Sequence, residues 1–387
     1  MHWSSSIGSK FHAWILRFRQ FTLRKYDFSI GNLAQITPFL RYIFTSAFIS
    51  RNRRVEKFEK YCKTFSNDVS VKTSLLVKHL DLPTEVDPLK MAKISLEMHG
   101  TFPISFVAID SMQNVDNQSK SQVLSSIIPG QPYLFHNEED YYFNYLDSHF
   151  AFTFKKCGWD SFRNVEIISH GSVPLYLHAK KIPRFTMTFY PKKSMSLIAR
   201  KFLEEPFIMS DDSTNLFFES CQKYLQTSYL YYYLNELVGI QGKDILYLDD
   251  SLDSRPDYLS MMVLISLARY HDLKVHVTKN YRYLTTNETF ESEDFLYGRG
   301  FGYRGRLSGN QNLTLMDESQ VDQFEGIVII GNVLRNKESL AIFSNRGKTL
   351  VSICGEDLAP SRSELNFIQN ASSHVFLREL NHPFVVP

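Results

Sequence analysis

SHFAFTFKKCGWDSFRNVEIISHGSVPLYL, residues 148–177, changes periodicity twice, and its reading decides the fold. Phe150, Phe152 and Phe154 alternate with other residues at strand period. A turn at Cys157, Gly158 and Trp159 leads to Asp160, a good helix N-cap residue. From 161 to 169 the spacing is helical, with Phe162, Val165, Ile168 and Ser169 on one side and Arg163 and Glu166 on another. Gly171 stops that helix by tolerating a left-handed C-cap, and residues 173–177 read as extended. Strand, turn, helix and strand make one βαβ unit of a parallel sheet, which binds ligands where the strand's carboxyl end meets the helix N-terminus.

At that spot stand Lys155, Lys156, the free amides of the first helical turn and Arg163. The set suits a diphosphate, because a helix N-terminus favours an anion and a guanidinium grips phosphate oxygens in pairs. Glu166, one turn on, is placed to accept hydrogen bonds from two ribose hydroxyls. The same spacing equally describes an exposed Arg163–Glu166 ion pair worth about a few tenths of a kcal/mol, and pattern alone leaves both readings open.

GWDSFRNVEIISHGSVPLY, 158–176, resembles the nucleotide-sugar-binding motif of exostosin-like GT-B glycosyltransferases, of the form G-W-D-x-x-R-x-x-E-x-x-x-x-G-x-x-P. FPISF at 102–106, IIPG at 127–130, YLFHNEEDYYFNYLDSHF at 133–150 and PRFTMTFYPKK at 183–193 resemble segments that accompany it. The resemblance implies that Arg163 contacts the donor diphosphate, that Glu166 contacts the ribose and that Gly171 allows close backbone approach. Lys155, Lys156 and Trp159 complete the expected nucleotide-sugar site. Asn164 stands where the family often has His, and Ser172 where it often has Cys; these changes bear on sugar selectivity and leave the Arg and Glu in place.

The 387 residues suffice for two domains and an extension, and 43% hydrophobic with 22% charged residues describes a soluble globular chain. A formal charge of +2 argues against a nucleic-acid partner. Cys62, Cys157, Cys221 and Cys354 lie far apart, which excludes a disulfide framework and a zinc cluster and favours a reducing compartment. Neither a signal peptide nor a bilayer-spanning run of about 18 apolar residues is found, so the expected location is cytoplasmic. The sequons at Asn117, Asn287, Asn312 and Asn370 then read as chance matches.

Three regions follow: a basic helical N-terminal extension over 1–90, a donor-binding Rossmann-like domain over 91–240 and an acceptor-side Rossmann-like domain over 241–387. In the first, Phe11, Trp14, Ile15 and Phe18 recur at helical spacing among Lys10, Arg17, Arg19, Arg24 and Lys25, and Arg51, Arg53, Arg54, Lys57 and Lys60 form a second basic cluster. Such a helix packs on the protein's own core, the more common use, or lies on an anionic membrane surface, and only the second reading makes the chain membrane-peripheral. In the second, 114–126 reads as a loop or solvated helix, Glu138, Glu139 and Asp140 as a solvated helix start, and 216–238 as one helix capped by Gly239.

In the third region, KDILYLDD, KVHVT, FEGIVIIGN, KTLVSICGED and HVFLREL read as buried strands, and YLSMMVLISLARY as a helix. LYGRGFGYRGRL, at 296–307, lacks the strand-to-helix context of a dinucleotide fingerprint and reads as a loop near the cleft. This combination resembles the acceptor domain that accompanies the donor motif, but in the reverse order, which implies a circularly permuted GT-B pair, half-enzymes completed by other chains, or a fragment of a repeating protein.

The expected function is a metal-independent glycosyltransferase that moves a sugar from a nucleotide-sugar donor to a glycan or glycoconjugate acceptor in surface polysaccharide biosynthesis. No cofactor beyond the nucleotide-sugar is expected. Lys155, Lys156, Arg163 and the helix dipole would stabilise the diphosphate leaving group. Asp257, Glu356 and Asp357 are candidate bases for the acceptor hydroxyl, and each also suits a cap or turn. Asp249, Asp250 and Asp253 come nearest to a metal motif but read as structural. Arg255, Arg299 and Arg378 are expected to bind an acidic acceptor or to brace loops. The alternative is a degenerate, non-catalytic protein that binds glycans or scaffolds an assembly complex. A nicotinamide-dependent dehydrogenase is disfavoured, because neither βαβ unit carries G-x-G-x-x-G.

Overall fold

A computed structural model of the chain describes residues 87–380, apart from 111, 113–119, 128–134, 156, 177–178, 205–211, 254–256, 271, 286–295, 308 and 310–311. Expectations for residues 1–86, for Lys156 and for Arg255 therefore lie outside the described residues. Helix α1, Pro88–His99, is capped by Asp87, whose Oδ1 accepts from the Leu89 amide at 2.8 Å, and has proline in its first turn. Strand β1, Phe102–Pro103, follows.

Next come β2 (Gln122–Leu124), α2 (Glu138–Leu146), β3 (Ser148–Thr153), α3 (Phe162–Ser169) and β4 (Val173–Tyr176). Three helices, α4 (Lys192–Glu204), α5 (Asp212–Tyr224) and α6 (Thr227–Val238), then lead to β5 (Asp244–Leu248) and α7 (Tyr258–Ala268). The rest is β6 (Lys274–Val277), α8 (Arg282–Thr285), β7 (Leu313–Leu315), β8 (Ile327–Ile330), α9 (Lys337–Ser344), β9 (Leu350–Cys354), α10 (Arg362–Ala371) and β10 (His374–Leu377).

These strands form two wholly parallel sheets. The smaller has the order β2-β3-β4 and is the βαβ unit of 148–177 with one more strand. The larger has the order β1-β10-β9-β8-β5-β6-β7. Counted from β5 its six later strands run 3-2-1-4-5-6, the order of a doubly wound sheet, and β1 adds a seventh beside β10. The winding reverses between β5 and β8, which is where such sheets open a crevice at the strands' carboxyl ends.

Burial on both faces explains why β5, β8 and β9 are almost continuously apolar. On one face Leu246, Val328 and Leu350 pack with Met91, Leu340, Phe343 and Ile368 from α1, α9 and α10. On the other, Tyr247 donates to the Ser260 carbonyl of α7 at 2.8 Å, and α6 lies against α7.

Three local expectations need correcting. The helix expected over 216–238 is two helices, parted at Leu225 and Gln226, where Gln226 makes an isolated parallel bridge with Ala108. The polar segment 114–126 contains β2, whose three residues are too few to show alternation. Ser161, not Asp160, stands at the N-cap of α3 and makes no side-chain cap bond. The Asp160 carboxylate is turned inward instead, to the Phe106 amide at 3.0 Å. Among the described residues no helix is long and apolar enough to cross a membrane.

Candidate functional site

The turn from β3 into α3 abuts the carboxyl end of the larger sheet. A Cβ on Gly158 would stand 2.7 Å from Glu379 Oε1 and 3.3 Å from the Asp357 carbonyl, so any larger residue would displace the Glu379 carboxylate. The Asp160 amide donates to Glu379 Oε1 at 2.8 Å. Arg378, 2% exposed, donates through Nη1 to the Asp160 carbonyl, through Nε to the Gly355 carbonyl at 2.9 Å and through Nη2 to Asp357 Oδ1 at 2.5 Å. Its guanidinium lies over Phe106 at 4.6 Å. Of the roles expected for Arg378, the bracing of loops is the one its bonds describe. Burial lifts the Asp160 carboxyl to about 7, opposed by the positive charge of Arg378.

Lys155 holds its ammonium over the Trp159 ring at 5.0 Å, and Trp159 stacks in turn on Tyr176. Burial lowers the Lys155 pKa, which weakens its grip on a proton unless an anion joins it. Arg163, half-buried in the first turn of α3, approaches the Tyr145 hydroxyl at 3.5 Å. Glu166 accepts from the Tyr141 hydroxyl at 3.1 Å and from Tyr142 at 3.4 Å. Burial pushes its pKa up to about 7, against the opposing charge of Arg163 and the two hydroxyl bonds. The Tyr142 ring stacks on His170 at 4.0 Å. Gly171 has φ 71° and turns the chain at the far end of α3, about 12 Å of helix from the turn at Gly158. Lys155 thus meets Trp159 on the turn, and Arg163 is coupled to Glu166 on α3, whereas Gly171 stands at the far end of that helix.

Of the two departures from the family motif, Asn164 accepts from Thr153 at 2.5 Å while its buried Nδ2 finds no hydrogen-bond partner. Ser172 donates to the Tyr145 carbonyl at 2.5 Å.

The three candidate bases lie at the carboxyl end of the larger sheet. Asp257 is the N-cap of α7: Oδ1 accepts from the Ser260 amide at 2.8 Å and Oδ2 from Asn332 at 3.3 Å. Burial raises its pKa. Glu356 Oε1 accepts from Arg335 Nε at 2.6 Å and from Asn332 at 3.2 Å, with a third of the side chain exposed. Asp357, held by Arg378, is more than half exposed. Asp249 is fully buried and accepts from Ser251, Ser260 and Asn336, which is a structural assignment. Among the described residues no group of three or more His, Cys, Asp or Glu is arranged to hold a metal ion.

Sequence reasoning did not single out Glu379, Asn332, Arg335, Tyr141 or Tyr142. The aromatic-acidic run at 133–150 was the one available signal for the two tyrosines, since their i, i+1 spacing on α2 sends hydroxyls to both oxygens of one carboxylate. No protein-family model matches the chain, and no curated protein or solved structure does so either.

Proposed function

We propose that the chain is a glycosyltransferase of GT-B architecture, with a nucleotide-sugar on the β3–α3 turn and a glycan or glycoconjugate acceptor at the carboxyl end of the seven-stranded sheet. The observation that carries this reading is the meeting of those two ends. The turn that bears Trp159 and leads to Arg163 packs on the loops after β9 and β10, against Asp357 and Glu379. Transfer between two bound molecules requires such opposed sites, because the gain from holding both reactants together depends on their facing each other.

The strand order supports the permuted form of this architecture. Strand β1, with the FPISF segment, adds to the larger sheet beside β10, where a chain running on from Arg378, Glu379 and Leu380 would place its next strand. Helix α6, which follows the donor segment, lies against α7 and leads into β5.

In this reading Lys155, Arg163 and the amides of the first turn of α3 balance the charge that gathers on the diphosphate as the sugar leaves. Glu356 or Asp357 takes the proton of the acceptor hydroxyl. Asp257 is the weakest of the three candidates, since its buried carboxylate is engaged in capping α7. Surface polysaccharide synthesis and a cytoplasmic, membrane-peripheral location complete the proposal.

One observation favours a second reading, a non-catalytic binding protein: both oxygens of Glu166 are already engaged by Tyr141 and Tyr142. Thermal shift against UDP-, GDP-, CMP- and dTDP-sugars separates the two. A donor at about 100 times its dissociation constant stabilises the folded chain by about 2.7 kcal/mol, and the glycosyltransferase reading requires this in the wild type and its loss in Arg163→Ala. If no nucleotide-sugar raises the melting temperature, the donor site is not here and the binding reading takes its place.

A further inference from the structure

We infer that residues 296–307, the LYGRGFGYRGRL segment between α8 and β7, form a strap that covers Glu166 in this structure and lifts to admit a ligand's vicinal hydroxyls. The inference rests on the proposed role of Glu166 and adds an autoinhibitory contact to it.

The strap belongs to the larger sheet by its chain position and is seated on the smaller one. Its backbone takes positive φ at Gly298, Arg299, Gly300, Gly302 and Gly305, which lets it lie flat on α2 and α3. A Cβ on Gly302 would stand 2.6 Å from the Tyr142 hydroxyl and 2.8 Å from Phe162 Cζ. The strap's backbone thus rests on a hydroxyl that bonds Glu166. Beside it Phe301 packs on Tyr141 at 5.5 Å and joins Ile127, Tyr145, Ala151 and Ile167 in the smaller sheet's apolar cluster.

The fastenings are uneven. At its far end the strap is tied to its own side by backbone bonds, Gly305 to the Tyr283 carbonyl at 2.8 Å and Leu307 to Leu284 at 2.7 Å. It is held to the smaller sheet by the buried Phe301 ring in its middle and by Glu138, whose Oε1 accepts from the Gly302 amide at 3.2 Å and, nearer the anchored end, from Arg306 Nη2 at 2.6 Å. Arg306 Nε also pairs with Asp110 at 2.9 Å, and Arg299 reaches the carbonyls of Phe135 and His136. The side-chain bonds are at partly exposed positions and are exchanged for water at little cost. The Phe301 ring is therefore the main resistance to lifting, and the lifted state is a minor population, reached while the end stays anchored. A ligand that binds only the lifted state shifts the population, and its apparent affinity is divided by the fraction already lifted.

Hydrogen exchange on the full-length chain tests this in the wild type, in Arg306→Gln and in Phe301→Ala, the last serving if the first distorts the fold. Strap amides should exchange at least about tenfold faster than those of β8 and β9, and about tenfold faster again in either variant with the core strands unchanged. UDP and GDP, titrated by calorimetry, should bind whichever variant loosens the strap more tightly than the wild type by a similar factor. Strap amides that exchange only at the rate of the core strands in all three proteins overturn the inference, and so does an unchanged affinity where the strap has loosened. A strap that loosens while neither nucleotide binds any of the three leaves the moving element standing and removes the donor assignment of Glu166.

Discussion

Two of the contacts between the sheets, Arg378 and the strap, are built from opposite materials. Arg378 is buried, charged and bonded in three directions at once, to the backbone of both partner loops and to Asp357, with Glu379 accepting from the same turn. The strap is glycine-rich and held by one buried ring, Phe301, and by polar groups that water can replace. A buried guanidinium with carbonyl and carboxylate partners cannot release one of them without stranding charge, so it fixes a distance. A glycine-rich segment held by one ring and a few part-exposed bonds leaves no buried charge behind when it lifts, and can return. The difference teaches that the β3–α3 turn is held at constant separation from Glu356 and Asp357, while access to Glu166 is separately controlled.

The harshest way to break this comparison is Arg378→Met. It strands Glu379 and leaves two buried carbonyls without donors, and should cost about 3–5 kcal/mol in urea denaturation. A loss below about 1 kcal/mol would mean that the contact is no more fixed than the strap.

Glu166→Gln sharpens the other side. The folded pKa of Glu166 is raised to about 7, above the ordinary 4.5, so its favourable contribution is full below pH 4.5 and is lost as pH rises through 7. Asp160 behaves in the same sense and is common to both proteins. The variant should therefore gain about 3 kcal/mol on the wild type as pH rises from below 4.5 to 8, as read from paired denaturation curves. A difference that does not change with pH contradicts the burial of an ionisable group beneath the strap.

Gly302→Ala puts a methyl against Tyr142 and Phe162 at φ 82° and should cost about 2 kcal/mol, with the added loss confined to strap exchange rather than to β8 or β9. The smallest effect is expected from Glu138→Gln, below about 1 kcal/mol because the pair is partly exposed, though it should loosen the strap measurably.

The βαβ unit was legible because each element is long enough to show its period: Phe150 and Phe152 alternate, and Phe162, Val165 and Ile168 recur at helical spacing. Five of the six strands of the third region were legible, four of them as apolar runs because burial on both faces removes polar residues, whereas Leu313–Leu315 at the exposed edge gave no such run. What escaped depends on partners distant in sequence. Phe102 and Pro103 carry no sign that they pair with Phe376 and Leu377. Asp160 has the type and position of a helix cap, and partners distant in sequence, the amide of Phe106 and the charge of Arg378, draw it elsewhere. The resting place of the glycine-rich loop was equally hidden, because Glu138 read as a solvated helix start and nothing local links it to Gly302.

The position of β1 has a consequence for synthesis. It is made before every other described strand, yet its sheet partner β10 is the last of them to be made. On a ribosome adding about 5–20 residues per second, the roughly 270 residues between them take about fifteen to fifty seconds. The three-stranded sheet and the β5–β6 pair close from neighbouring segments within that interval. Phe102 and the apolar residues that follow it must wait, and a waiting edge of this kind is where a nascent chain meets chaperones or other copies of itself.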